Sequence, residues 1–210
     1  MSEKRLWIAV LAVMCMLAAS AVAQDDKNEV SGVIGRTFIS SQTIQGATSF
    51  DPLIRYGRGL SVEGSYAREL RITQIYSVSG EVVAMFNPDE DLHAHDNVVP
   101  IDYSAFFVTP GVRANLFPTT AFSPWASIGG GFGHISENGA LLYGSTNPGK
   151  STTTGVFQYG AGLDVRLKPR LLIRGEVRDF WAGEPDFPLA PTGKTRQHNV
   201  FVGGGVIWRF

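Results

Sequence analysis

Eight stretches of alternating apolar and polar residues run through the chain, and the connections between them alternate in length. The stretches are Val30–Ser40, Arg58–Ala67, Ile72–Phe86, Asp102–Leu116, Phe122–Ile135, Thr154–Leu167, Leu171–Ala182 and His198–Phe210. The long connections are Ser41–Gly57, Asn87–Ile101, Ser136–Thr153 and Gly183–Gln197, and the short ones between them are Arg68–Arg71, Phe117–Ala121 and Lys168–Arg170. Strict alternation is typical of an up-and-down barrel with tight turns at one end and extended loops at the other. The pattern predicts an all-β, eight-stranded antiparallel barrel.

The first residues predict a cleaved signal peptide. Two basic residues precede the apolar run Leu6–Ala19, and Ala21 and Ala23 give the small-residue spacing that signal peptidase reads. The run is short for a transmembrane anchor, and polar residues follow it at once. We therefore predict a signal peptide over residues 1–23 and a transmembrane β-barrel domain over residues 24–210.

Composition narrows the chemistry of the mature chain. Cys15, the single cysteine of the sequence, lies inside the predicted signal peptide, so we expect neither a disulfide nor a thiolate metal site. The formal net charge of the sequence is −1, which gives no basic footprint for nucleic acid. We predict no nucleic-acid partner and no cofactor.

On most of the alternating stretches, charged side chains share one face and apolar side chains share the other. Almost all the cations on the charged faces are arginines, whose planar fork suits packed ion pairs better than solvated surfaces. The interior of an eight-stranded barrel is just wide enough for side chains to fill. We therefore predict a closed polar interior filled by a salt-bridge network. Its predicted members are Glu63, Glu81, Arg113, Asp164, Arg166, Arg174, Glu176, Arg178 and Arg209. The alternation alone also fits a soluble barrel with its charges outside.

The last stretch carries an apolar face that ends in Val206, Trp208 and Phe210. This ending resembles the carboxy-terminal signature of outer-membrane barrels, and the layout resembles the small eight-stranded family of OmpX, OmpW and the OmpA membrane domain. The resemblance implies the outer membrane of a Gram-negative bacterium, with outer-membrane lipids and the barrel-assembly machinery as partners. It assigns Val206, Trp208 and Phe210 to the assembly signal. No second domain follows the barrel in this sequence, which differs from OmpA.

Aromatic residues near the ends of the stretches suit girdles at the two membrane interfaces. The predicted girdle residues are Phe86, Phe122, Trp125, Phe180, Trp181 and Trp208.

Three other motifs are weak candidates for chemistry. The stretch Asp89–Asp96 holds two histidines and four acids, but its spacing matches no calcium loop and suits a solvated loop. The glycines of Gly129–Gly133 have no helix after them to make a phosphate cradle. His134 and His198 have no serine at a spacing that singles out a catalytic pair. We predict no metal site and no enzyme.

The sequence thus predicts a monomeric integral outer-membrane barrel with a structural or surface-interaction role. Two alternatives stay open, a narrow porin or transporter of small apolar solutes and a lipid-modifying enzyme. A soluble periplasmic barrel is a further, third alternative.

Overall fold

The computed structural model describes residues 27–46, 51–95, 99–141, 144, 149–183, 185, 190–192 and 196–210. The predicted signal peptide lies outside the described residues and stays a prediction. The strands are β1 (Asn28–Ile39), β2 (Gln42–Thr43), β3 (Leu53–Tyr56), β4 (Leu60–Ile72), β5 (Tyr76–His93), β6 (Pro100–Leu116), β7 (Phe122–Leu141), β8 (Lys150–Lys168), β9 (Leu171–Ala182) and β10 (Gln197–Arg209). Within the described ranges, no helix is long and apolar enough to cross a bilayer.

Eight of these strands close into a barrel. From β4 to β10 each strand pairs antiparallel with the next, and β1 pairs with β4 on one side and with β10 on the other. The closing ladder runs from Glu29↔Arg209 to Ile39↔Asn199. Both edges of every barrel strand are therefore paired, and the predicted eight-stranded antiparallel barrel is confirmed.

The tight turns gather at one end of the barrel, here called the short-turn end, and the long connections at the other, the long-loop end. The turns 117–121 and 169–170 are as predicted, since β6 ends at Leu116 and β8 at Lys168. The predicted turn Arg68–Arg71 is wrong. A bulge between Glu69 and Arg71 keeps β4 paired with β5, and the chain turns at 73–75 instead. There the Tyr76 backbone N–H donates to the Thr73 hydroxyl at 3.0 Å.

At the long-loop end the four strands β5 to β8 continue beyond their predicted bounds. The β5 strand reaches His93 rather than Phe86, and β7 reaches Leu141 rather than Ile135. The first long connection also contains structure, because β2 pairs with β3 and β3 pairs with the end of β5. Its residues Ile44 and Ile54 are buried in the apolar core of the barrel. The long-loop end is therefore folded over the mouth of the lumen.

The two faces of the barrel wall differ in chemistry, as the alternation predicts. Outward side chains form an apolar, exposed band that includes Val62, Val82, Val112, Leu163, Ile173, Val177, Val202 and Val206. Charged side chains such as Glu81, Arg174 and Arg178 point into the lumen and are buried. The faces of β1 are ambiguous in the sequence, and the structure turns Glu29, Ser31, Val33 and Thr37 inward.

The glycine run 129–133 lies within β7, where it permits close packing between neighbouring strands. A Cβ atom on Gly131 would collide with the Val108 carbonyl oxygen of β6, and one on Gly133 would collide with the Phe107 ring. These glycines therefore bring β6 close and make room for a large inward side chain, which is the ordinary role of glycine in a barrel wall.

Candidate functional site in the filled lumen

Arg178 lies at the centre of the ionic cluster in the lumen. Its Nη1 donates to Glu81 Oε1 at 2.9 Å and its Nε donates to Glu176 Oε2 at 3.2 Å. The same Nε lies 3.3 Å from Glu63 Oε1. All four side chains are fully buried. One guanidinium thus faces three carboxylates that reach it from β4, β5 and β9.

Asp164 and Arg174 form a two-pronged ion pair between neighbouring strands. Arg174 Nε donates to Asp164 Oδ1 at 2.8 Å, and its Nη2 donates to Oδ2 at 2.9 Å. The carboxylate also accepts from Trp125 Nε1 at 3.0 Å and from Asn115 Nδ2 at 3.3 Å. Parallel N–H···O bonds between a guanidinium and a carboxylate fix orientation as well as charge. This pair therefore locks β8 to β9 from inside the barrel.

Arg113 joins the central group to the short-turn end. It donates to Glu29, and its Nη1 lies 3.8 Å from Glu81 Oε2. Arg209 Nε in turn lies 3.3 Å from Glu29 Oε2. The chain of ion pairs therefore runs from Arg209 through Glu29 and Arg113 to the carboxylate that Arg178 holds.

Most predicted network residues meet in this cluster, with one exception and one omission. Arg166 lies outside it, because its side chain reaches the short-turn end and donates to the Pro118 and Thr119 carbonyls at 2.5 and 3.4 Å. The prediction omits Glu29 because the first predicted stretch begins at Val30, whereas β1 begins at Asn28. The signal that could have identified it is its register with Arg209 across the closing ladder.

Trp125 is also part of the cluster, and its predicted place in an interfacial girdle is wrong. Its side chain is 4% exposed, with the Arg178, Arg174 and Arg113 guanidinium carbons 4.7, 4.8 and 5.9 Å from the ring centre. The ring shares an inward face of β7 with the buried Ser127. An aromatic face attracts cations at these distances. Trp125 therefore stabilises the three arginines as well as filling space in the lumen.

An apolar layer fills the lumen between the ionic cluster and the long-loop end. The Phe107 and Phe180 rings stack with centres 5.4 Å apart. Met85, Ile135 and Phe201 are fully buried beside them in the same core. The predicted girdle position of Phe180 is therefore wrong, and so is the expectation of a polar interior throughout. Phe180 shares its face of β9 with Arg174, Glu176 and Arg178, so the alternation of the strand turns its ring into the lumen.

The two candidate histidines lie on the outer wall near the long-loop end. His198 Nδ1 is 2.6 Å from Asp179 Oδ2, and the Tyr159 hydroxyl donates to the same oxygen at 2.6 Å. The Ser40 hydroxyl accepts from the His198 backbone N–H at 3.1 Å. His134 Nδ1 lies 3.0 Å from the Thr153 hydroxyl. The serine beside His198 is thus held by backbone rather than by the imidazole, and the contacts tie β8, β9 and β10 together.

The acidic motif Asp89–Asp96 lies partly in β5, and Asp96 falls outside the described residues. Glu90 is buried and accepts from Asn87 Nδ2 at 3.1 Å. Among the described side chains, no group of three or more histidines, cysteines and acids is placed to hold a metal ion.

The final strand carries the predicted assembly signal at the seam of the barrel. Val206 and Trp208 are exposed on the outer wall. The Phe210 backbone N–H donates to the Asn28 carbonyl at 2.9 Å, and the Asn28 N–H donates back at 3.0 Å. The last residue therefore closes the ladder between β1 and β10.

Replacing Phe210 with alanine is expected to lower the amount of folded protein in cell membranes severalfold. The backbone bonds to Asn28 remain, so refolding of the purified variant into lipid vesicles should be near normal. The measurement compares both yields on gels that separate folded from unfolded barrel. Normal membrane levels in cells would contradict the assembly role, and an equal loss in vesicles would assign Phe210 to stability instead.

A closed barrel with an apolar outer wall and a charged interior is the architecture of a transmembrane β-barrel. Each wall strand is paired along both edges, as hydrocarbon requires, and the ionic cluster is kept away from lipid. The chain belongs to the outer membrane protein beta-barrel domain family, whose model matches residues 9–210. The protein is therefore located in the outer membrane of a Gram-negative bacterium.

Solved structures show the same fold at low sequence identity. Neisserial surface protein A (NspA) is 14% identical, with a TM-score of 0.57 over 87% of this chain and 97% of its own. The N-terminal β-barrel domain of Pseudomonas aeruginosa OprF is also 14% identical, with a TM-score of 0.50 over 89% of this chain and 100% of its own. The outer membrane protein AlkL is 10% identical, with a TM-score of 0.51 over 90% and 93%. In sequence, no curated protein matches the chain significantly.

Proposed function

We propose that this protein is a closed, monomeric barrel with a structural or surface-interaction role, which it performs through its long connections at the cell surface. The observation that carries the proposal is the filled lumen, in which an ionic layer around Arg178 lies beneath an apolar layer around Phe107 and Phe180. An eight-stranded barrel has no room beyond its own side chains when these are large. Its direct partners are then outer-membrane lipids and, during insertion, the barrel-assembly machinery.

A narrow transporter of small apolar solutes is the second candidate. The apolar layer favours it, since Met85, Phe107 and Phe201 give the outer half of the lumen a hydrophobic lining. The ionic layer opposes it, because an apolar solute would have to separate Arg178 from its carboxylates to pass. Separating buried ion pairs is costly, so the closed barrel is the better account.

We assign no catalytic role to the chain. The Asp179, His198 and Tyr159 contacts tie three strands together. Within the described residues, the Ser40 hydroxyl accepts from the His198 backbone N–H and makes no bond to the imidazole. A serine nucleophile needs a base within hydrogen-bond reach of its hydroxyl.

The purified barrel is expected to give no steady single-channel current in planar bilayers, because both layers block the lumen. The Phe107→Ala/Phe180→Ala variant should also stay silent, since the ionic layer below is intact. A large porin measured in the same bilayers checks the sensitivity of the recording. A steady wild-type conductance would contradict the proposal. Uptake of an apolar dye into barrel-containing vesicles, above protein-free vesicles, would favour the transporter instead.

A further inference from the structure

One cation lies on the outer wall where the neighbouring side chains face lipid. On β1, Arg36 points outward between Ile34 and Phe38, and its side chain is exposed. The register places it beside Leu60 of β4 and Val202 of β10, both exposed and apolar. A charge on the lipid face of a barrel is unfavourable, and the cost falls toward the interface. Arg36 is three residues from the end of β1, so it lies within reach of the outer interface.

A second arginine reaches the same place. Arg58 precedes β4, is exposed, and holds its guanidinium carbon 5.4 Å from the centre of the Phe38 ring. The pairing Arg36↔Leu60, extended by two residues, places Arg58 opposite Phe38. Diagonal neighbours on one face of a sheet are close enough for long side chains to meet. Among the residues that the structure describes, no carboxylate pairs with Arg36 or Arg58.

Directly beside Arg36 the wall is indented. A shallow apolar groove runs over the β10–β1–β4 surface, lined by Ile34, Gly35, Leu60, Val202 and Gly203. Gly35 and Gly203 are paired in the closing ladder and contribute backbone to this surface, between the outward side chains of Ile34 and Val202. Arg36 and Phe38 also line this groove, so the groove and the two arginines form one amphipathic surface near the long-loop end.

We propose that this surface is a binding site for a phosphorylated lipid of the outer leaflet. Arg36 and Arg58 bind the phosphate, and an acyl chain lies in the groove beside Ile34 and Val202. Guanidinium forks match phosphate oxygens with two parallel hydrogen bonds each. A soluble anion would satisfy the arginines but would leave the groove unused, whereas an anionic lipid satisfies both. Such a ligand also explains how two arginines with no carboxylate partner among the described residues are accommodated at the edge of the lipid-facing band.

The test compares lipid binding to the detergent-solubilised barrel by native mass spectrometry, with bis-phosphorylated lipid A as the probe. The R36Q/R58Q variant is expected to bind about tenfold more weakly, the loss expected when charge-assisted hydrogen bonds are removed. The matched control is R68Q, which removes an equally outward, exposed arginine at the short-turn end of β4 and should bind like wild type. Val202→Trp, which fills the groove and keeps both arginines, should also bind more weakly.

Three comparisons decide the result. Dephosphorylated lipid A should bind wild type and R36Q/R58Q equally weakly, and inorganic phosphate should not displace the intact lipid at equal concentration. Displacement by phosphate alone would show an anion site without lipid recognition and overturn the proposal. Unchanged binding by R36Q/R58Q, or an equal loss in R68Q, would overturn it too. Migration of each variant as folded barrel on detergent gels shows that the substitutions left the fold intact.

Discussion

Replacing Arg178 with methionine is expected to lower the free energy of unfolding of the barrel by about 3–5 kcal/mol, the usual cost of removing one partner from a buried ion pair. Arg178 faces Glu63, Glu81 and Glu176 at 2.9 to 3.3 Å, and all four side chains are fully buried. Methionine keeps much of the volume against Trp125 but leaves the carboxylates facing one another. The loss should exceed that of Glu176→Ala, after which the guanidinium keeps two partners.

The measurement is urea unfolding of the refolded protein in lipid vesicles, followed by tryptophan fluorescence. Arg68→Met is the matched control, because this arginine is exposed on the outer wall at the short-turn end. Adding Glu63→Gln and Glu176→Gln to Arg178→Met should restore part of the lost stability, since neutral amides do not repel. If Arg178→Met lowers the free energy of unfolding no more than Arg68→Met does, the cluster contributes no stability to the barrel.

The strand number and the faces of the wall could be predicted from sequence because both follow from local periodicity. On β9, the alternation of Ile173 and Val177 with Arg174, Glu176 and Arg178 leaves one assignment once charge is kept from lipid. The partners within the cluster could not be predicted in this way. The bond between Arg178 and Glu81 joins residues that are 97 positions apart, and only the barrel's register brings them together.

Glu29 and Trp125 show where local patterns fail. Glu29 lies one residue before the predicted start of its strand, and the faces of that strand are mixed, because Arg36 is outward and Val33 is inward. The girdle position of Trp125 is predicted only from its place near a strand end. That criterion does not distinguish an outward ring from an inward one. Counting along β7 from the inward Ser127 gives the correct face, but this requires the face of β7 to be known first.

The long-loop end was the least predictable part, because its strands lose the contrast between faces. Along β5 the alternation weakens after Phe86, yet pairing with β6 resumes at Glu90↔Tyr103 beyond a bulge. The inward residues here are apolar or hydrogen-bonded to one another, as when the Tyr103 hydroxyl donates to Gln197 Oε1 at 3.0 Å. The interior face of each strand is predicted from its charged residues. This criterion does not indicate a lumen layer built on the apolar Phe107 and Phe180.

Replacing Val177 with arginine is expected to lower the free energy of unfolding in vesicles by about 2–4 kcal/mol, the cost of a basic side chain near the midplane of a barrel's lipid face. Val177 is 47% exposed on the outer wall. Its register neighbours Val202 and Ala161 are apolar and outward. Asp179, two residues along the same face, is already held by Tyr159 and His198. The substitution leaves the lumen untouched, because the side chain points away from it.

The control for depth is Ile75→Arg, the same kind of change at an exposed apolar residue in the turn 73–75. At the interface the cost should be only about 0–1 kcal/mol, because the guanidinium can reach water and lipid headgroups. The same urea experiment measures both variants beside wild type. The ratio of the two losses in free energy of unfolding reports whether Val177 lies deeper in the hydrocarbon than Ile75. Equal small effects at both positions would mean that the outer wall around Val177 is solvated, and the placement of this band in the membrane core would be wrong.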